Sequence, residues 1–290
     1  MDIKKYIKRV SKYIKNGVPE SHVTAEVVYL ATNDLLKDRA AFITGATSGI
    51  GYSIAKAYLK SGATVVITGS DSDEINTSCD KLKMFSKDGR NGVFGVVMDN
   101  TDVSSFSNIF DTVLQMIGCK IDILVNNTEM FGGDISSTTE SEYDTILDNN
   151  MKGMFFLSQL VGRYMKSNGI HGNILNIASS SSLRPATSAY MLTRWGIRGF
   201  TLGLAKALAP YDITVNGIAS GPTATPMSGD GTGLDITFSR NPLGRFALPD
   251  EVANMAVFLV SGMGHSIVGD IVYMTGGSGL IAFDDINYSF

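Results

Sequence analysis

From residue 39 onward, short runs rich in β-branched residues alternate with longer stretches of helical periodicity. The runs 40–44, 64–68, 93–98, 121–126, 173–178, 213–218 and 270–274 read as strands. Alternation of this kind predicts βαβ units and right-handed crossovers. The sheet should be parallel, seven-stranded and buried on both faces between two helical layers, a doubly wound α/β/α arrangement. No internal repeat and no Pro/Gly-rich linker interrupts residues 39–280, so 39–290 reads as one domain. Residues 1–38 read as an extension. Within it, Ile3, Tyr6, Ile7, Val10, Tyr13 and Ile14 recur at helical spacing, and Asn16, Gly17 and Pro19 supply a stop. This helix carries six basic side chains against the single acid Asp2. Its apolar stripe is expected to pack on the domain or on a neighbouring subunit; the alternative is a membrane-surface or targeting role.

Charge and composition remove several classes of function. The net charge of -4 argues against a nucleic-acid partner, because phosphate binding rests on Lys and Arg. Cys79 and Cys119 lie forty positions apart and only three histidines are present, so no metal site is expected. Two thiols in a chain of 290 residues suit a reducing compartment. No apolar run approaches the ~20 residues of a membrane span, and the N-terminus lacks the apolar centre of a secretory signal. A soluble, cytoplasmic protein is expected.

The first strand runs into Gly45, Ala46, Thr47, Ser48, Gly49, Ile50 and Gly51, with a helix expected from about Tyr52. Gly45 permits a tight turn, Gly49 lets backbone approach a pyrophosphate, and Gly51 allows close helix–sheet packing. The helix N-terminus then offers free N–H groups to phosphates. Glycine trios are common. This one follows the first strand of an alternating chain and opens a helix, which is the context a dinucleotide site requires.

The spacing T-G-x-x-x-G-I-G resembles the short-chain dehydrogenase/reductase family, and the resemblance runs from about residue 40 to residue 277. It implies a Rossmann-type fold and a hydride transfer between NAD(P) and a small secondary alcohol or ketone. NAD-preferring members usually place an acid where Gly69 stands, and NADP-preferring members often place a base at Ser70 or Ser48. Neither device is present. The missing acid and the Ser70 hydroxyl point to NADP(H), Asp71 points the other way, and NAD(H) stays open. Asp99, with Asn100 beside it, matches the residue at the adenine edge. Asn126, Asn127, Thr128 and Glu129 stand where the family has Asn-Asn-Ala-Gly. The two larger side chains are read as loop variation beside the adenosine path.

Residues four apart share a helical face, so Tyr190 and Arg194 can both point at a substrate at the sheet edge. A phenol with a pKa of ~10 needs a nearby cation to act near neutrality. The family supplies Tyr-x-x-x-Lys for this; here Arg194 replaces the lysine, keeping the charge but not the compact ammonium or a releasable proton. By the same resemblance Ser179, with Ser180 as the other register, hydrogen-bonds the substrate oxygen, and Asn150 anchors a water. Gly221, Thr223 and Thr225 line the nicotinamide side. Residues 227–238 are expected to form a mobile substrate lid. A neutral polyol, sugar or hydroxyketone fits the site. A ketoacyl thioester is a further possibility, with Arg163 and Lys166 as a basic pair. The last strand and the helix 250–260 form an oligomer surface in many members, so a homodimer or homotetramer is expected. The competing reading is a catalytically weak NAD(P)-binding protein with a regulatory or scaffolding role, or one acting through its basic arm.

Overall fold

The computed structural model describes residues 33–86, 92–225 and 236–280. Seven strands form: β1 (Ala40–Ile43), β2 (Thr64–Gly69), β3 (Val93–Val97), β4 (Ile123–Asn126), β5 (Asn173–Ser179), β6 (Thr214–Ser220) and β7 (Ile271–Met274). All pairings are parallel, in the order β3-β2-β1-β4-β5-β6-β7. Every expected strand is present within two residues of its expected ends. β4 starts at Ile123, two residues later than expected; just before it, Asp122 bonds Ala40 O and Asn173 N through its backbone while its carboxylate pairs with Arg39.

The principal helices are α1 (Gly49–Lys60), α2 (Ser72–Lys83), α3 (Phe106–Ile117), α4 (Glu140–Leu147), α5 (Gly153–Ser167), α6 (Ala189–Leu208) and α7 (Pro249–Val260). A π-helical turn, Asp148–Lys152, joins α4 to α5. α1 begins three residues earlier than expected from Tyr52. Gly49 takes φ +57°, a left-handed conformation open to glycine, as the chain turns from Ser48 into the helix.

Pleating sends successive strand residues to opposite faces, and each face has its own core. Ala41, Ile43, Val65, Ile67, Ile123 and Val125 meet Ile54, Tyr58, Val252 and Val257 of α1 and α7. Phe42, Val66, Leu124, Ile174 and Val215 meet Phe110, Leu157, Val161 and Leu208 of α3, α5 and α6. Both faces are covered, which is why the strands read as continuous apolar runs.

The basic helix expected over residues 1–16 lies outside the described residues. The end of the expected extension is already docked. Leu36 is fully buried, and its N–H donates to Ser61 O at 2.9 Å. At the N-terminal edge of the sheet, Arg39 ties three strands together. Its Nε lies 2.9 Å from Asp122 Oδ1, and its Nη2 donates to Asn173 Oδ1 at 2.7 Å. Burial pushes the Asp122 carboxyl up while Arg39 pulls it down.

The strand order reverses between β1 and β4. In doubly wound sheets a crevice opens at that switch point, beyond the carboxyl ends of the strands. The C-terminal ends of β1, β4, β5 and β6 all open there.

Candidate active site

A cleft of about 410 Å³ lies at this switch point. One end is the turn after β1. Gly45 has φ +60°, and a Cβ on Gly51 would lie 2.7 Å from Gly45 O, so the turn and helix start require glycine. Ser48 precedes α1 without a side-chain cap bond, leaving the first N–H groups of α1 to the cleft. Gly45, Ser48, Gly49 and Ile50 line this end, with Thr223, Thr225 and Gly221 opposite. A backbone cradle with a helix N-terminus and no side chain filling it fits a pyrophosphate.

Asn127 holds the cradle in place. Its amide donates to Thr44 O at 3.0 Å and to Gly45 O at 2.9 Å. Asn126, expected to touch the cofactor, instead donates to Ser158 Oγ and Asn176 Oδ1 inside the core. The pleat sends these neighbours to opposite sides. Asn100 is also turned inward, donating to Asn149 O at 2.8 Å, and Asp99 accepts from the N–H and hydroxyl of Thr101. Thr47 accepts through its carbonyl from Ser78 Oγ, which pins α2 to the turn. Ser70 is exposed at the end of β2.

Ser179, Tyr190 and Arg194 converge at the other end. Ser188 caps α6, accepting from Met191 N at 3.1 Å, and so fixes Tyr190 in the first turn. Ser179 is the last residue of β5 and accepts from Ser181 N. Its hydrogen bond to the phenol draws the Tyr190 pKa down. Ser180, the alternative register, instead accepts from Arg184 Nη1 at 3.2 Å. Arg194 is fully buried, with Cζ 4.7 Å from the Tyr190 ring centroid and Nη1 3.5 Å from Ile177 O. Its Nε and Nη2 have no hydrogen-bond partner among the described residues. Buried donors without partners fit the hydroxyls of a bound ribose.

Asn150 sits in the π-helical turn, where its side chain is fully engaged. It accepts from Met130 N at 2.7 Å and donates to Met130 O at 2.8 Å and Thr193 Oγ1 at 3.3 Å. It therefore clamps the loop after β4 onto α6.

Glu129 is carried by that loop. Its Oε2 lies 3.4 Å from Arg194 Nη1 and accepts from the Tyr190 hydroxyl at 3.4 Å. The expected position beside the adenosine path is corrected: the loop curls under the clamp and delivers Glu129 to the phenol. Burial raises the Glu129 carboxyl, against the pull of Arg194 and Tyr190. Tyr190 is likewise raised, by burial first and then by the Glu129 charge, with Arg194 opposing. Arg184 also lines the cleft although buried, and Phe131, Phe238 and Phe246 form its aromatic walls. The signal for Arg184 and Glu129 was a charged residue in each loop leaving a strand at the switch point. Of residues 227–238, only 236–238 are described. There Phe246 N donates to Ile236 O, and the rings of Phe238 and Phe246 stack at 4.5 Å.

No group of metal-ligating side chains occurs among the described residues, and no helix there is long and apolar enough to cross a membrane. The family model described as Enoyl-(Acyl carrier protein) reductase matches residues 45–278. The chain is 34% identical over 251 residues to the (2S)-[(R)-hydroxy(phenyl)methyl]succinyl-CoA dehydrogenase subunit BbsD of Thauera aromatica, covering 85% of this chain and 99% of that protein. A 3-oxoacyl-[acyl-carrier protein] reductase from Brucella melitensis with bound NAD superposes with a TM-score of 0.79. It is 26% identical and is matched over 90% of this chain and 100% of its own. A short-chain dehydrogenase from Burkholderia cenocepacia J2315 in complex with NADP gives 0.74 at 30% identity, with 83% and 98% coverage. The glycine cradle, the Ser179–Tyr190 end and these matches over most of its length agree: the chain belongs to the short-chain dehydrogenase/reductase family of NAD(P)-dependent oxidoreductases acting on CH–OH donors.

Proposed function

We propose that the chain is an NADP(H)-dependent reductase of a ketone carrying an apolar flank, with Tyr190 as its acid/base residue. The observation that carries this reading is the position of the Tyr190 hydroxyl. It lies in one continuous cleft with the glycine cradle, with Ser179 beside it and Arg194 behind its ring. With its pyrophosphate in the cradle, the dinucleotide would supply the hydride from its nicotinamide. Ser179 would orient the carbonyl oxygen toward the phenol, and Tyr190 would give that oxygen its proton as the C–O bond becomes an alcohol. Arg194 would hold the ribose through its free donors and steady the phenolate left behind. Burial raises the Tyr190 phenol and keeps it protonated, the form that can act as the acid in reduction.

Two features support NADP(H) over NAD(H). Gly69 carries no acid to repel a 2′-phosphate, and a Cβ there would lie 2.8 Å from Thr47 Cγ2, so a larger residue would require Thr47 to shift. Asp71 is committed to capping α2, accepting from Asp73 N at 2.8 Å and Glu74 N at 2.9 Å. The aromatic walls support a partly apolar ketone rather than a polyol or sugar. A second copy of the chain is the expected partner. Phe155, Phe156, Leu192, Trp195 and Leu202 are exposed on α5 and α6, and Phe155 meets Phe200 across the two helices at 5.3 Å. Cys79 and Cys119 form no disulfide, which supports a cytoplasmic setting.

Titration of the purified chain with NADPH and with NADH, followed by nucleotide fluorescence, tests the cofactor reading. Tighter binding of NADPH is expected, and equal or reversed affinities would overturn the preference.

A further inference from the structure

We propose that Glu129 is the proton carrier of this site, returning to Tyr190 the proton that the phenol gives to substrate. The inference rests on the assignment of Tyr190 as the acid. Tyr190 is only 7% exposed, and its hydroxyl faces the cleft rather than the outer surface. Among the described residues, the polar side chains acting on its hydroxyl are Ser179, Arg194 and Glu129. A guanidinium does not release its proton, and a serine hydroxyl titrates far above neutrality. Asn150 is occupied on all sides. The carboxyl is the one group of the set whose ordinary chemistry lets it both take up and release a proton.

Its surroundings fit the task. The Glu129 side chain is 24% exposed, so one side reaches the cleft while Oε2 faces the phenol. Tyr190 and Arg194 face it from α6, Ser179 faces the same phenol from β5, and Arg184 is the other charged side chain lining the cleft. Burial raises the carboxyl toward the range in which it can act as an acid, and Arg194 keeps its anion from being stranded. The 3.4 Å separation is longer than a strong O–H···O bond, so transfer requires Glu129 to swing in by about 0.6 Å.

The step balances without an oxidant or reductant. In reduction the Tyr190 O–H bond breaks as the product O–H bond forms. The Glu129 O–H bond then breaks as the Tyr190 O–H bond re-forms, and the carboxylate takes a proton from water at the cleft mouth. In alcohol oxidation each transfer reverses.

The test uses the full chain and has two arms. Infrared difference spectra of wild type minus Glu129→Gln, titrated with pH, should show a protonated carboxyl persisting well above the ordinary glutamate range and shifting in Tyr190→Phe. With NADPH and acetoacetyl-CoA as probes, Glu129→Gln should lower kcat about a hundredfold. The same variant should keep NADPH affinity and lose the corresponding limb of the pH profile, and acetate should restore turnover to Glu129→Ala. A Glu129 that titrates as an ordinary carboxyl, or a Glu129→Gln variant with unchanged kcat and pH profile, would overturn the proposal. If no carbonyl probe is reduced by the wild type, the proposed function fails instead, and the infrared arm alone decides the state of Glu129.

Discussion

At the scale of single residues, two charged side chains of the site touch each other: Arg194 and Glu129, read in the sequence as replacements at their positions, lie 3.4 Å apart. A buried guanidinium without a partner is costly, and the carboxylate offsets that cost. Arg194→Lys and Glu129→Gly should each lower stability, and the double variant should lose less than the sum. The coupling should be on the order of 1–3 kcal/mol by urea denaturation; additive losses would mean the pair is not an energetic unit. Tyr190, Ser179 and the glycines were legible because each sits at a fixed offset from a strand end. Glu129 was visible as an odd residue but not as a site residue. Its role depends on a loop path set by the Asn150 clamp from twenty positions away.

At the scale of elements, helix ends and core faces decide where the cleft lies. Glu251, in the first turn of α7, accepts from Leu248 N at 2.8 Å and pairs with Arg245 at 2.7 Å. The hydrogen bond from Arg245 is the chief cause that holds its carboxyl below the ordinary range. A depressed folded pKa stabilises above the unfolded value of about 4.3 and is lost as pH falls through the folded one. Glu251→Gln should therefore cost about 1 kcal/mol at neutral pH, and the gap from wild type should close below about pH 4.3. A gap independent of pH would contradict the assignment. On the opposite face, Phe110 packs edge-on against Phe42 and Tyr164, at 6.2 and 5.1 Å. Phe110→Ala should cost about 3–5 kcal/mol in chemical denaturation, and a smaller loss would mean that the α3 face repacks. The strands were readable because β-branched runs buried on both faces leave no polar positions to blur them. The π-helical turn at Asp148–Lys152 left no mark in the periodicity, since it shifts the register by a single residue.

For the whole molecule, one switch point in the strand order gathers the cradle, Tyr190 and the aromatic walls into a single cleft, and among the described residues an apolar face of α5 and α6 stands exposed. By resemblance an oligomer surface is expected at the last strand and α7, and the exposed aromatics of α5 and α6 add a second candidate. The exposed aromatics of α5 and α6 were indistinguishable in sequence from core positions of the same helices. Sedimentation should show an assembly larger than one 31.0 kDa chain, and Phe155→Glu with Leu192→Glu should reduce it. An unchanged sedimentation coefficient would place the contact elsewhere. The central claim concerns Tyr190, and the most direct test is NADPH oxidation at 340 nm over a ketone panel, run beside nucleotide titration for wild type and Tyr190→Phe. Turnover is expected in wild type, with its loss in Tyr190→Phe and similar NADPH affinity in both. A Tyr190→Phe variant that still turns over would contradict that claim.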